Sequence, residues 1–153
     1  MQKIAVVVLI AVGLFMGNAQ AQNLVYDSNA KVRNVGNFNG VSVASGIKLY
    51  LSQGKEQAVA VSAENEEYTE RIITEVKDGI LKIRVESKMW NNWNWGNKKL
   101  KAYVTVTDLT YLGASGGSIA KLIDEITVNN LESDISGGSI IEGKLKGNSF
   151  NID

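Results

Sequence analysis

The chain has 153 residues, with 16 basic and 16 acidic side chains, so its formal net charge is zero. That balance gives no electrostatic case for nucleic acid or an anionic membrane surface as a partner. Cysteine and histidine are both absent. This removes disulfides, thiolate metal sites, the commonest general base and the commonest metal ligand.

The chain opens with Lys3, continues with the apolar run Ile4 to Met16, and reaches the small residues Ala19 and Ala21. A cationic start, a short apolar stretch and an Ala-x-Ala ending are the pattern of a secretory leader. The expectation is residues 1–21 as signal peptide and 22–153 as an exported domain, periplasmic, outer-surface or secreted. The apolar run is shorter than the roughly 20 residues of a spanning helix. Nothing after Gln22 is apolar enough to span, so no membrane segment is expected after cleavage.

From Phe38 the pattern has period two. "FNGVSVASG" puts Phe38, Val41 and Val43 on one face, and "IKLYLS" alternates Ile47, Leu49 and Leu51 against Lys48 and Tyr50. "QGKEQ", 53–57, reads as a turn, and "AVAVSA" brings Val59, Val61 and Ala63 to one side. Alternation of this kind predicts strands with one buried face. "NEEYTERI", 65–72, predicts one short helix, with Asn65 as cap, Glu66 and Glu67 in the first turn, and Tyr68 and Ile72 sharing a face. In "ITEVKDGILKIRVE" the Asp78-Gly79 dipeptide predicts a two-residue hairpin turn. Its register pairs Lys77 with Ile80, Val76 with Leu81, Thr74 with Ile83 and Ile72 with Val85.

All three tryptophans, Trp90, Trp93 and Trp95, fall in "KMWNNWNWGNKK", 88–99. The stretch lies between two predicted strands and reads as the tip of a long hairpin loop. Indole faces beside amides, with Lys98 and Lys99 as donors or cation–π partners, are the chemistry that holds sugar rings. Trp90, Trp93, Trp95, Lys98 and Lys99 are therefore the candidate ligand-binding residues. The competing reading has the indoles closing an end of the core. "LKAYVTVT" then predicts Leu100, Ala102, Val104 and Val106 inward, with Lys101, Tyr103, Thr105 and Thr107 outward.

Beyond Leu109 a repeat emerges. Ser115, Gly116, Gly117, Ser118 and Ile119 recur as Ser136, Gly137, Gly138, Ser139 and Ile140, 21 positions later. A period near 20 residues is the signature of a solenoid, in which equivalent residues stack. The expectation is an apolar column with Ile119 over Ile140, glycine pairs stacked at a bend, and a hydroxyl ladder of Ser115 and Ser118 over Ser136 and Ser139. "NNLESD", 129–134, resembles "NSFNID", 148–153. The repeat predicts a further rung after Asp153, so the domain reads as truncated at its C-terminus. An open solenoid end invites association, including homo-oligomerisation.

The order of these segments, "NVGNFNGVSVASGIKLYLSQG", "NEEYTERIITEVKDGILKIRV", "KAYVTV", "LTYLGASGGS" and "ISGGS", resembles the auto-transporter adhesin, head GIN domain family of exported bacterial proteins. The resemblance implies an all-β fold, with hairpins leading into a right-handed β-helix-like solenoid, and a place in the cell envelope. It carries over no catalytic residues. Glu132 and Asp134 would share a strand face, and paired carboxylates are the minimum for a glycosidase. The two Ser-Gly-Gly-Ser segments have no histidine to activate a serine. The expected function is a non-enzymatic binding, adhesion or envelope-structural domain, without cofactor or metal, for a glycan or a cell-surface protein. The alternative is a carbohydrate-active enzyme or its accessory glycan-binding domain.

Overall fold

The computed structural model describes residues 6–10, 23–87 and 98–153. Fourteen strands and one short helix are present among them, so the chain is all-β as its alternation predicts. Strands β1 (Val6–Ile10) and β2 (Asn23–Asp27) pair antiparallel as a separate two-stranded sheet. β1 lies within the stretch read above as a leader. The remaining strands are β3 (Lys31–Val32), β4 (Gly40–Val43), β5 (Lys48–Gln53), β6 (Ala58–Ser62), β7 (Ile72–Lys77), β8 (Ile80–Val85), β9 (Lys101–Val106), β10 (Tyr111–Ala114), β11 (Ile119–Thr127), β12 (Asn130–Ile135), β13 (Ile140–Lys146) and β14 (Ser149–Ile152), with helix α1 (Glu66–Glu70) between β6 and β7.

These strands form two six-stranded sheets. One runs β14-β12-β10-β4-β8-β7 and the other β13-β11-β5-β9-β6-β3. The chain passes from the first sheet to the second at each Ser/Gly bend: β4 to β5, β10 to β11, β12 to β13. β12 lies parallel to β10 with Tyr111 opposite Glu132, and β13 lies parallel to β11 with Ile119 opposite Ile140. Both offsets are the 21 positions of the sequence repeat. β14 lies parallel to β12 with Asn130 opposite Ser149, at the offset that the resemblance of the two Asn-led segments predicts.

One apolar core fills the space between the sheets. Leu49 and Leu51 of β5, Val41 and Val43 of β4, Ile83 of β8 and Leu112 of β10 are essentially inaccessible. Each such side chain contributes about 1.5–3 kcal/mol on burial. The hairpin forms in the predicted register, from Lys77–Ile80 to Ile72–Val85. Asp78 and Gly79 take φ of 53° and 75°, the left-handed pair that a tight turn between twisted strands requires. Helix α1 is shorter than predicted. It stops at Glu70, and Ile72 begins β7, so Ile72 enters the core from a strand and shares no helix face with Tyr68.

Two facing assignments change. Tyr103 and Thr105 do not look out to solvent from β9; both are buried. The segment after β2 crosses over that face, where Ala30, Ala60 and Tyr103 form a small second core flanked by Tyr50. Tyr103 stacks on Tyr50 at 5.3 Å between centroids and donates to Asp27 Oδ2 at 2.9 Å. Likewise Ile119 and Ile140 do stand opposite each other, but on the outer face. The buried Ser118 takes the inward position at the bend, so Ala120 and Leu122 follow inward and Ile119 turns out.

Candidate functional site

The structure bears on three candidate regions. The first is the base of the tryptophan stretch. Trp90, Trp93 and Trp95 lie outside the described residues. Their flanks do not belong to a hairpin: β8 and β9 are in different sheets. β8 stacks on β4 and β9 on β5, both parallel, with Ala44 N–H bonded to Ile83 O and Lys48 N–H to Leu100 O, each at 2.9 Å. The stretch therefore leaves and re-enters at the corner that Ser45 and Gly46 turn in the next tier. Alternating strands on either side suggested a hairpin, but parallel stacking sends the second strand across to the other sheet.

The residues on either side of helix α1 clamp both flanks. Glu86 N–H bonds to Arg71 O at 3.0 Å, and Glu64 N–H bonds to Lys98 O at 2.8 Å. Asn65 caps the helix through Oδ1, accepting from Tyr68 N–H at 2.9 Å. Thr69, buried, ties it down by accepting from Ala63 N–H and donating to Asn65 O, both at 2.9 Å. Arg71 pairs with Glu67 one turn away, and Lys31 reaches Glu66 and Glu70 at 2.7 and 2.8 Å. Side-chain hydrogen bonds to Glu66 and Glu70 raise the Lys31 pKa, and the bond to Lys31 lowers that of Glu70.

Of the two candidate lysines, Lys98 sits 4.4 Å from the centroid of the Tyr68 ring, with Nζ 3.1 Å from Tyr68 Oη. A cation over an aromatic face at this range is mutually attractive. Lys99 takes a left-handed φ of 50° as the chain turns into β9. The sequence places Tyr68 on a helix face but not among the candidate ligand-binding residues. Its place beside Lys98 follows from tertiary packing of the helix, which no local pattern encodes.

The second region is the column of Ser/Gly bends. Gly116 and Gly117 have φ of 63° and 74°, and Gly137 and Gly138 have 60° and 74°. Gly117 N–H bonds to Gly137 O at 3.0 Å. A third tier is present: Ser45 and Gly46, with φ of 63° and 70°, stand above Gly116 and Gly117. The expected hydroxyl ladder is not what joins these tiers. Ser139 Oγ instead accepts from the backbone N–H of Ser118 at 3.1 Å. Ser139 braces the bend by capping backbone, a structural role.

The third region is the end formed by β13 and β14. Among the described residues, neither strand has a neighbour on its outer side. Ile140, Phe150 and Ile152 are exposed, and a cavity of about 270 Å³ opens there, lined by Leu122, Leu131, Ile141, Leu145, Phe150 and Ile152 among others. At the opposite ends of the sheets the pairing is antiparallel, β7 on β8 in one and β6 on β9 and β3 on β6 in the other, with α1 against β6 and β7.

The carboxylates Glu132 and Asp134 do share an outer face of β12 and are exposed. Tyr111 lies against them. Its pKa is raised, first by burial and then by the charges of Asp134 and Glu132. No group of three or more potential ligands that could hold a metal occurs among the described residues. No helix among them is long and apolar enough to cross a membrane.

Residues 37–153 match the family described as putative auto-transporter adhesin, head GIN domain. The chain belongs to that family. No protein of curated function matches it. Among solved structures, this head GIN domain chain is similar to a putative adhesin from Bacteroides fragilis NCTC 9343, with a TM-score of 0.70 and 17% identity over 80% of this chain and 56% of that one. It is also similar to a putative adhesin from Parabacteroides merdae ATCC 43184 (TM-score 0.57, 15% identity, 79% and 58% covered) and to a putative lipid binding protein from Parabacteroides distasonis ATCC 8503 (0.54, 19%, 82% and 60%). At these identities the likeness establishes a shared fold. The chain spans less than two thirds of the length of these solved relatives.

Proposed function

We propose that this head GIN domain is an exported, non-enzymatic binding module of the cell envelope that holds a glycan or a cell-surface protein. The observation that carries the reading is the family match, which spans 37–153 and is described by an adhesin head. The leader pattern of residues 1–21 supports export, with the mature chain starting at Gln22. We read the two sheets as a right-handed β-helix-like solenoid. Parallel pairing at a 21-residue offset with a bend at each tier is what such a fold requires.

One surface would serve binding. The tryptophan stretch, anchored at its base by Tyr68, Lys98 and the residues flanking helix α1, is the ligand surface, with Trp90, Trp93, Trp95, Lys98 and Lys99 as contacts. Rigid clamping of both flanks lowers the entropy lost when a loop binds.

Tryptophan fluorescence tests this surface, because the stretch carries every indole of the chain. A saturable shift on titration with one polysaccharide, lost in Trp93→Ala and Trp95→Ala, is the expected result. No shift with any glycan, from a folded sample with buried-indole emission, would make the tryptophans core-closing residues. Sugar release abolished by Glu132→Gln or Asp134→Asn would instead favour an enzyme.

A further inference from the structure

Tyr111 opens β10, and its ring reaches along its own strand. Its Oη, Cζ and Cε1 stand 2.8, 3.2 and 3.1 Å from the point where a Cβ on Gly113 would sit. Residues two apart share a strand face, so the phenol is laid over the glycine on the outer face of the first sheet. Gly113 is buried beneath it, while Tyr111 itself is half-buried. β10 runs between β4 and β12, and β12 between β10 and β14, so this face belongs to the interior of the sheet and not to an edge. Among the described residues no other ring and no basic group lies on Tyr111, and its hydroxyl makes no hydrogen bond.

Two carboxylates flank the ring on the next strand. Glu132 is directly opposite Tyr111 and Asp134 directly opposite Gly113, at the spacing of about 4.8 Å between neighbouring strands. Both are exposed. Elsewhere on the outer faces acids stand across from bases: Glu75 from Lys82, Glu142 from Lys121 and Glu125 from Lys144. Such cross-strand pairs of opposite charge are favourable. Glu132 instead stands between Tyr111 and Asn151, and Asp134 beside Gly113. Neither forms an ion pair among the described residues. A ring laid over a glycine covers strand backbone and is a packing device in its own right. It accounts for Tyr111 and Gly113, but not for two unanswered acids beside them. Their charges act on the ring: the Tyr111 pKa is raised, first by burial and then by Asp134 and Glu132.

Negative charge beside a partly open ring calls for a cation, and a planar one fits best. A guanidinium stacks flat on an aromatic face and donates forked hydrogen bonds in its own plane to carboxylates at the ring's edge. An ammonium is a compact point charge with no plane to stack. We propose that Tyr111, Glu132 and Asp134 form a binding site for an arginine side chain of a protein partner, with the guanidinium stacked on the Tyr111 ring and bonded to both carboxylates. Gly113, having no side chain, lets the ring lie down. The site is at the start of β10, opposite Gly40, away from the bend where the tryptophan stretch attaches, and is a separate contact.

Nitrogen-15 NMR of the full chain tests the site, with acetyl-Gly-Arg-Gly-amide as probe. The amides of Tyr111, Gly113, Glu132 and Asp134 should shift saturably, with a Kd no weaker than about 5 mM. The same peptide with citrulline, which keeps the shape without the charge, or with lysine should bind at least about fivefold more weakly. So should Tyr111→Leu and the double variant Glu132→Gln, Asp134→Asn. Gly113→Ala meets only the far end of the Tyr111 side chain, so it should keep the fold, lift the ring and lose binding as Tyr111→Leu does. The carboxylate variant changes exposed positions alone and decides the matter should the Tyr111 variant unfold. No shift at these amides with up to about 20 mM peptide would overturn the proposal. Citrulline or lysine peptide binding as tightly as the arginine peptide would overturn it too. Stronger shifts with N-acetylglucosamine than with the peptide would make the ring a sugar platform and sink the arginine site. Tryptophan emission reads the other surface, so the glycan titration and this one succeed or fail separately.

Discussion

The side-chain amide of Gln53 makes both hydrogen bonds to Thr127 that a neighbouring strand residue would make. Its Nε2 donates to Thr127 O at 2.9 Å, and its Oε1 accepts from Thr127 N–H at 3.0 Å. The need arises on β11, which leaves register with β5 after Leu122 and carries Asp124 at a φ of 59°. Three residues of β11, from Leu122 to Asp124, stand against Gly143 alone on β13. Beyond this bulge the backbone of β11 no longer meets β5, and Gln53 bridges the gap.

Gln53→Ala should therefore cost about 1–2 kcal/mol, the scale of two partly exposed hydrogen bonds. Gln53→Glu keeps the acceptor chain length but loses the donor and places charge beside a carbonyl. It should recover none of the loss. Denaturant melts give the energies, and amide exchange should accelerate at Thr127 without change in the central strand β5.

The bond from Tyr103 to Asp27 predicts a bounded pH range of added stability. Burial pushes the Asp27 pKa up, but hydrogen bonds from Ser62, Tyr103 and the Asn29 backbone, with the charge of Lys101, outweigh it, and the net shift is downward from 3.8. A depressed carboxyl stabilises the fold above its unfolded pKa and loses that contribution as pH falls through the folded value. Tyr103 is shifted upward from 10.0, mainly by burial and then by the bond to Asp27. Its contribution is complete below the unfolded pKa and fades as pH climbs above about 10. Asp27→Asn should cost about 1 kcal/mol near neutral pH, with the gap to the parent chain closing below about pH 4. Melting temperature measured from acid to alkaline pH checks both limits.

Much of the fold is legible in the sequence where the signal is local. The Asp78-Gly79 hairpin is fixed by one dipeptide and a period of two, and its six-residue register forms as read. The 21-residue repeat gave the stacking of β10 on β12 and β11 on β13 because identical residues recur. The first tier is less visible. Ser45 and Gly46 turn the same bend, but 71 positions separate Gly40 from its neighbour Tyr111. The shared "ASG" of 44–46 and 114–116 would misplace the tiers by one residue, since Val43 lies opposite Ala114. Burial of Tyr103 depends on a segment crossing from the far side of the chain, which β9 itself does not record.

The bends predict unequal costs for equivalent glycines. At Gly138, with φ of 74°, an added Cβ would meet nothing within 4 Å, so Gly138→Ala carries backbone strain alone, about 1 kcal/mol. At Gly137, with φ of 60°, the new Cβ would stand 3.0 Å from the backbone N of Gly116 in the tier above. Gly137→Ala must strain the turn and also push the tiers apart, so it should cost more, about 2–3 kcal/mol. Equal destabilisation of the two variants in denaturant would mean that the tiers are not in contact at the bend.

The inward column offers the sharpest test of how the strands face. Leu49 of β5 stands between Ala120 of β11 and Ala102 of β9, and all three are inaccessible to solvent. Leu49→Ala would open a void flanked by two small side chains that cannot fill it, so the cost should fall in the range of about 3–5 kcal/mol. Ile119, one position from Ala120, faces outward opposite Lys48. Ile119→Ser removes part-exposed apolar surface and leaves the core intact, so it should cost about 1 kcal/mol or less. Had Ile119 and Ile140 formed the inner column, the Ile119 variant would approach the Leu49 variant in severity. Urea midpoints of the two proteins, compared at equal slope, decide between these arrangements.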